Sequence, residues 1–344
     1  MRIALDAMGS DRAPLPEVEG AVKAASAGDF EVVLVGDEAR LKAALSAYPK
    51  CPRISIVHAS EAIAMNDPPA VIRRKRDSSL AVALRLHKQG EVDAVVTAGN
   101  TGAVVVGARV MLGFIEGVAR AAISPILPTA KAPVVILDQG ANVDCTARHL
   151  CEFAEMGTVY SRNVLGAENP RVGLLNIGQE TAKGNDLAKT VHHNLTAAKN
   201  INFIGNIEPK AMFEGNADVV ICDGFVGNMV LKTSEAAAWL MSNLMKRELK
   251  STWTSRIGAL LGRGAFKRLK KTVDANHHPG APLLGVNGNV VILHGAVSGK
   301  GVANGIRGAV QAVEKEVNAH IREGVAELRQ VEVLFTNTKR ESYG

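Results

Sequence analysis

The sequence predicts an α/β fold in which a largely parallel sheet is covered by helices on both faces. Three observations carry that prediction. Short aliphatic, β-branched runs recur along most of the chain, segments of helical period separate many of them, and the runs often end in a small or polar residue and a glycine. Continuous apolar strands alternating with helices are the pattern of a sheet buried on both faces. At 344 residues the chain suits one large α/β domain or two closely joined ones. Apolar residues make up 47% and charged residues 22%, which fits a globular protein, and with aromatics at only 4% the core must be mostly aliphatic.

In chain order, strands are expected at 3–7, 31–36, 54–59, 93–99, 132–138, 171–178, 201–205, 218–224 and 290–295. The stretches EVEGAVKAASAG (17–28) and SLAVALRLHKQG (79–90) have helical period and lie between strands. No repeat of fixed period and no low-complexity linker is visible. Residues 230–285 break the alternation. VLKTSEAAAWLMSNLMKRELK (230–250) reads as one long helix, a basic segment follows, and HHPGAPLLGVNGN (277–289) returns the chain to a strand. A helical hairpin projecting from the sheet domain is the expectation for this excursion.

The net charge of +6 is unevenly distributed. Lys246 to Lys271 hold nine basic residues and one acid, Glu248, so this segment carries +8 and the remainder −2. Few aromatics accompany these bases, which argues against a nucleic-acid surface. The four cysteines, Cys51, Cys145, Cys151 and Cys222, form no CxxC pair and no Cys/His zinc spacing, so reduced thiols in a cytosolic protein are expected. The N-terminal MRIALDAMGSDRAP is no signal peptide, because Asp6 interrupts a short apolar run. No apolar stretch approaches the roughly 18 residues of a membrane span.

The strand ends carry the functional signal. Seven of them combine a small or polar residue with glycine, at Asp6, Gly36, Gly99, Gly140, Gly178, Gly224 and Gly295. Open α/β sheets bind ligands beyond the carboxyl ends of their strands, and glycines there let backbone N–H groups approach an anion. The nucleotide fingerprints GxxxxGK[ST] and GxGxxG are absent, as are HExxH and GxSxG. What remains is a set of polar groups at strand ends. Asn100 and Thr101 sit in TAGNTGA (97–103), Lys183 and Asn185 in NIGQETAKGND (176–186), Asn228 in GFVGN (224–228), and His294 and Lys300 in HGAVSGKGVANGIRGAV (294–310). Four consecutive bases, Arg73 to Arg76, precede Asp77, Ser78 and Ser79 and suit a phosphate or an acidic partner. Each has a plainer reading: Thr101, Asp77 or Ser78 as helix caps, Lys183 as a surface residue, His294 as a hydrogen-bonded strand end.

These motifs, in this order, closely resemble the bacterial phosphate acyltransferases of phospholipid synthesis. The resemblance rests on ALDAMGSD (4–11), the DPP…RRKRDSS run, TAGNTGA, LDQGAN (137–142), LLNIGQETAKGN (174–185), CDGFVGNMVLK (222–232) and HGAVSGKGVANGI (294–306), which span nearly the whole chain. Ser10 stands where the family usually has a second glycine, and Gln139 where a small apolar residue is commoner. The resemblance implies a single two-lobed unit over 1–344, related in fold to phosphotransacetylases and to the isocitrate/isopropylmalate dehydrogenases, with a cleft between the lobes. It implies acyl phosphate made from acyl-acyl carrier protein and inorganic phosphate, with no metal and no nucleotide cofactor. It further implies a cytoplasmic homodimer, peripherally bound to the membrane, which passes its product to a membrane glycerol-phosphate acyltransferase.

That chemistry suits the residues. Phosphate dianion attacks a thioester without an enzyme nucleophile, so the protein must supply position and charge compensation. Asn100, Thr101, Lys183 and Asn185 are the first candidates for phosphate or the oxyanion, with Asp6, Asn228, His294 and Lys300 behind them; His294 is the candidate proton donor. Within the basic segment, Trp253, Ile257, Leu260 and Leu261 share one helical stripe, flanked by Arg256, Arg263 and Lys267, and the helix either has a broad face or breaks near Gly262–Gly264. Such a helix suits an anionic bilayer or the acidic carrier protein; a hairpin packed on its dimer mate is the plainer alternative. A phosphate acetyl- or butyryltransferase using CoA thioesters would share the chemistry but has no need of that projection. A non-catalytic membrane scaffold would have no need of the strand-end cluster.

Overall fold

Two sheets organise the chain. The computed structural model describes residues 1–49, 51, 53–273 and 279–330, with side chains placed except at 269–273, 329 and 330. The described strands are β1 (Arg2–Asp6), β2 (Glu31–Gly36), β3 (Ile54–His58), β4 (Ala94–Thr97), β5 (Ala122–Ile123), β6 (Ile126–Leu127), β7 (Val134–Leu137), β8 (Val172–Leu175), β9 (Phe203–Ile207), β10 (Val219–Ile221), β11 (Ala281–Leu284) and β12 (Val290–Ile292). Seven form one sheet in the order β3-β2-β1-β4-β12-β11-β5, and five form another in the order β6-β7-β10-β8-β9. Pairing is parallel except where β11 meets β12 and β5, and where β6 meets β7.

The helices are α1 (Leu15–Ala27), α2 (Glu38–Leu45), α3 (Ser79–Lys88), α4 (Thr101–Met111), α5 (Ala147–Leu165), α6 (Asp186–Ala197), α7 (Pro209–Phe213), α8 (Gly224–Ser251), α9 (Trp253–Leu261), α10 (Arg263–Val273), α11 (Gly299–Glu314) and α12 (Val317–Gln330). Alternate residues of most strands feed opposite cores, as the two-residue period requires. Ile3, Leu5 and Leu34 join a cluster with α1 and α11, while Ala4 and Val33 join one with α3 and α4. In the second sheet Val135 and Leu137 pack with α5, and Val134 and Ile136 pack with α7. Each fully buried aliphatic side chain contributes about 1.5–3 kcal/mol.

All nine expected strand runs contain strands, mostly shortened at the polar ends where the chain turns. β9 lies two residues later than expected, because Phe203 rather than Ile201 pairs with Val172. β5 and β6 were not anticipated: two residues are too few to show a period. They are the strands of a crossover in which the chain leaves one sheet at Ile123 and enters the other at Ile126. β11 lies within the stretch expected to return to a strand, of which 277 and 278 fall outside the described residues.

α8 begins six residues before the expected 230, because Asp223 caps it by accepting from the Val226 N–H at 2.7 Å. Beyond its first turns the helix has no buried residue. It is followed at once by α9, which packs against it, and the helix path breaks at Gly262 before α10.

One buried acid makes a testable contribution to stability. Glu155 of α5 lies beneath α12, where Gly324 leaves room for it, and accepts from Asn200 Nδ2 at 2.9 Å. Burial pushes its carboxyl up to about 7, with Glu327 adding to the rise and Arg162 opposing it. Glu17 is likewise raised to about 7 by burial. Between about pH 4.5 and 7 the folded state therefore holds protons that the unfolded state has released, and stability falls as pH rises through this window. Glu155→Gln is expected to remove up to about 1.4 kcal/mol per pH unit of that slope, read from denaturant unfolding at pH 5, 6 and 7. An unchanged slope would show that Glu155 titrates normally.

Candidate active site

A cleft of about 580 Å³ opens where strand ends of the two sheets face each other. One wall is built by the turn after β4, with Thr101 and Gly102, and by the turn after β12, with His294 and Val297. The other comprises Gln139 and Gly140 after β7, together with the first turns of α8. The crossover from Ile123 to Pro128 lines it with apolar side chains. This is the position beyond the strand ends that α/β sheets offer to ligands.

The α8 wall is set by close backbone approach. A Cβ on Gly227 would lie 2.0 Å from the Asp138 carbonyl oxygen, and one on Gly224 would lie 2.6 Å from Asp138 Oδ2. Only glycine lets the helix start sit directly on the end of β7. Asp138 is buried there and accepts from the N–H groups of Ile123 (2.9 Å) and Asn142 (2.6 Å) and from Asn142 Nδ2 (3.0 Å). Its pKa is raised by burial, against which those donors favour the carboxylate. Asp138 therefore links the crossover, the 139–142 turn and α8.

Thr101, Asn228 and His294 line the cleft. Thr101 and Gly102 are the first residues of α4, whose opening amides lack intrahelical acceptors and favour an anion. His294 Nδ1 accepts from the Ala296 N–H at 3.1 Å, so the neutral ring carries its proton on Nε2. Asn228 lies against Gly140, whose φ of +89° suits a residue without a side chain.

The other candidates are used differently. Asn100 caps α4 by accepting from the Ala103 N–H at 3.0 Å, and its amide donates to the carbonyls of Ala64, Met65 and Asp67. It ties the 64–67 loop beneath Thr101. Asp6 is buried at the end of β1, accepting from Thr97 Oγ1 at 2.7 Å and the Met8 N–H at 3.3 Å; burial raises its pKa. Lys183 and Asn185 are exposed beyond β8 and are not among the cleft-lining residues. Asn185 caps α6 through the Ala188 N–H at 2.9 Å. Lys300, in the first turn of α11, is exposed and also not among those residues. Of the 73–79 run, Lys75 pairs with Asp67 at 2.8 Å, Asp77 accepts from Ser60, and Ser78 caps α3.

Sequence reasoning missed three groups: Asp138, the crossover wall, and Lys232 with Glu235 on α8. Asp138 and Lys232 lie inside quoted motifs, LDQGAN and CDGFVGNMVLK, so a signal was present. The crossover carried none. Outside the cleft, Trp253, Ile257, Leu260 and Leu261 of α9 are 74, 50, 69 and 82% exposed, and Arg256, Arg263 and Lys267 are exposed beside them. Among the described residues no helix is long and apolar enough to cross a membrane, and no His/Cys/Asp/Glu group could hold a metal.

The architecture is that of the phosphotransacylases. A phosphotransacetylase from Streptococcus pyogenes matches with a TM-score of 0.57 at 17% identity, covering 91% of this chain and 94% of that one. One from Staphylococcus aureus matches with a TM-score of 0.56 at 16% identity, covering 92% and 94%. These likenesses concern the fold. In sequence, residues 1–320 match the family described as "Fatty acid synthesis protein". The phosphate acyltransferase of Citrifermentans bemidjiense is 46% identical over 329 residues, covering 95% of this chain and 93% of that protein. That of Pelotomaculum thermopropionicum is 45% identical over 326 residues, covering 94% and 95%. The chain belongs to the fatty acid synthesis protein family, within which these relatives are named phosphate acyltransferases.

Proposed function

We propose that this protein forms acyl phosphate and free acyl carrier protein from acyl-acyl carrier protein and inorganic phosphate, an early step of phospholipid synthesis. The observation that carries the reading is the division of the cleft. Apolar side chains from Ile123 to Pro128 and the polar groups of Thr101, Asn228 and His294 line one cleft. An acyl chain matches the first and a phosphate the second.

In this reading phosphate sits against the α4 amides and the Thr101 hydroxyl. A phosphate oxygen attacks the thioester carbon, forming the C–O bond, and Asn228 donates to the tetrahedral oxyanion. The C–S bond then breaks and the sulfur takes the electron pair; His294 Nε2–H donates a hydrogen bond to it, and the proton that the phosphate brought into the reaction passes to the sulfur. Asp6 and Asn100 hold the loops from below. Lys183, Asn185 and Lys300 stand outside this constellation.

The helices beyond β10 fit the same reading. α8, with 28 residues, is about 42 Å long and exposes Leu240, Met241, Leu244 and Met245, which share one face at i, i+1, i+4 and i+5, by 36% or more. So large an apolar face on one helix suits a second copy of the chain, and we assign it to a homodimer contact. The α9 stripe then faces an anionic membrane or the acidic carrier protein, keeping the enzyme at the surface where a glycerol-phosphate acyltransferase would take its product.

Incubation with long-chain acyl-acyl carrier protein and phosphate is expected to yield acyl phosphate, trapped as the hydroxamate. Acyl-CoA is expected to be the poorer donor. No product from either donor would overturn the reading, and preferential use of acetyl- or butyryl-CoA would turn it toward a CoA-dependent phosphotransacylase.

A further inference from the structure

We propose that Lys232 binds inorganic phosphate in the cleft and that Glu235 is the partner it leaves to do so, an assignment that rests on the phosphate-dependent reading above. Asn228, Leu231, Lys232 and Glu235 all line the cleft. Their spacing of i, i+3, i+4 and i+7 places them on one stripe of α8. Thr101 and His294 line the same cleft from strand ends of the other sheet.

Charge accounting points to Lys232. Among the described residues that line the cleft it is the only lysine or arginine, and Glu235 is the only carboxylate. A phosphate dianion entering the cleft is held best by a cation within reach, which makes charge-assisted hydrogen bonds to its oxygens. Lys183 and Lys300 are not among the lining residues. Lys232 Nζ is now held by Glu235 Oε2 at 3.1 Å, with the two side chains 54% and 46% exposed. An exposed pair one turn apart contributes little stability, so the ammonium exchanges partner easily. Its four-carbon stem gives it reach. In the resting cleft Glu235 neutralises Lys232; when phosphate binds, it takes the ammonium and the Glu235 carboxylate turns to solvent.

Calorimetric titration of inorganic phosphate into the full-length chain and its variants tests this. Lys232→Met keeps length and helix propensity and is expected to weaken phosphate binding at least tenfold, with Lys232→Arg restoring part of it. Glu235→Gln removes the competitor and is expected to tighten binding severalfold. In turnover with acyl-acyl carrier protein, Lys232→Met is expected to raise the KM for phosphate and leave that for the acyl donor within twofold. Equal phosphate affinity of wild type and Lys232→Met, no phosphate binding to wild type, or a rise in the acyl-donor KM alone would overturn the assignment. The last outcome would place Lys232 on the carrier's pantetheine phosphate instead. Acyl phosphate formed with Lys232-independent phosphate binding would leave the acyltransferase reading standing without this one. Lys232-dependent binding with no product would do the reverse.

Discussion

Gly227→Ala is expected to lower stability by about 1–3 kcal/mol and to cut kcat/KM by at least an order of magnitude. The added Cβ would lie 2.0 Å from the Asp138 carbonyl oxygen and 3.0 Å from Cys222 Sγ. The first of these is backbone at the end of β7 and has no rotamer by which to yield, so α8 must move outward. That movement carries Asn228 and Lys232 away from Thr101 and His294, and misplacement by about 1 Å at a reacting centre costs roughly a hundredfold. Gly258→Ala is the control. A Cβ there meets nothing within 4 Å, and alanine is favoured in a helix interior by about 0.5–1 kcal/mol, so stability should hold or rise. Thermal unfolding and steady-state kinetics check both. A Gly227→Ala protein with wild-type melting and turnover would mean that α8 tolerates displacement from β7.

The double variant Leu260→Glu/Leu261→Glu is expected to abolish flotation with anionic vesicles while leaving turnover of soluble substrate near wild type. Both leucines are more than two-thirds exposed, so the fold loses little on their replacement. Each leucine that enters a bilayer interface contributes about 1.5–3 kcal/mol, so removing two weakens partition by two orders of magnitude or more. The new carboxylates also oppose the attraction of Arg256, Arg263 and Lys267 to anionic lipid. High salt should release the wild-type protein only in part, because the apolar contribution does not screen. Wild-type flotation of the double variant would remove α9 from the membrane contact and leave carrier docking as its use.

How far the sequence could be read followed from how local each signal is. A run such as EVVLVG announces a strand because Val32 to Gly36 are buried whichever face they point to. Asp223 before Gly224 contained the signal for the early start of α8, but glycines at a strand end also signal a loop, and the cap was decided by one hydrogen bond to Val226. Thr101, Asn228 and His294 were legible as candidates because strand ends converge in this type of sheet. Whether they face one cleft was not, since they follow β4, β10 and β12, which belong to two different sheets. Asn100 and Asn185 looked the same as Thr101 in sequence. They differ in having their side chains occupied by backbone groups, Asn100 by four of them.

The sequence by itself determined the α/β class, nine of the strands in chain order, the helical stretch after β10 with its concentrated positive charge, and the family. All of these depend on composition and period within a short window. Only the tertiary structure decided that the strands divide into two sheets, that a two-residue strand of each carries the crossover between them, and that α8 lies on Asp138 and brings Lys232 to the cleft. The reason is physical. These features are set by backbone approach between residues some ninety positions apart, such as Gly227 on Asp138, and no local pattern encodes such a contact.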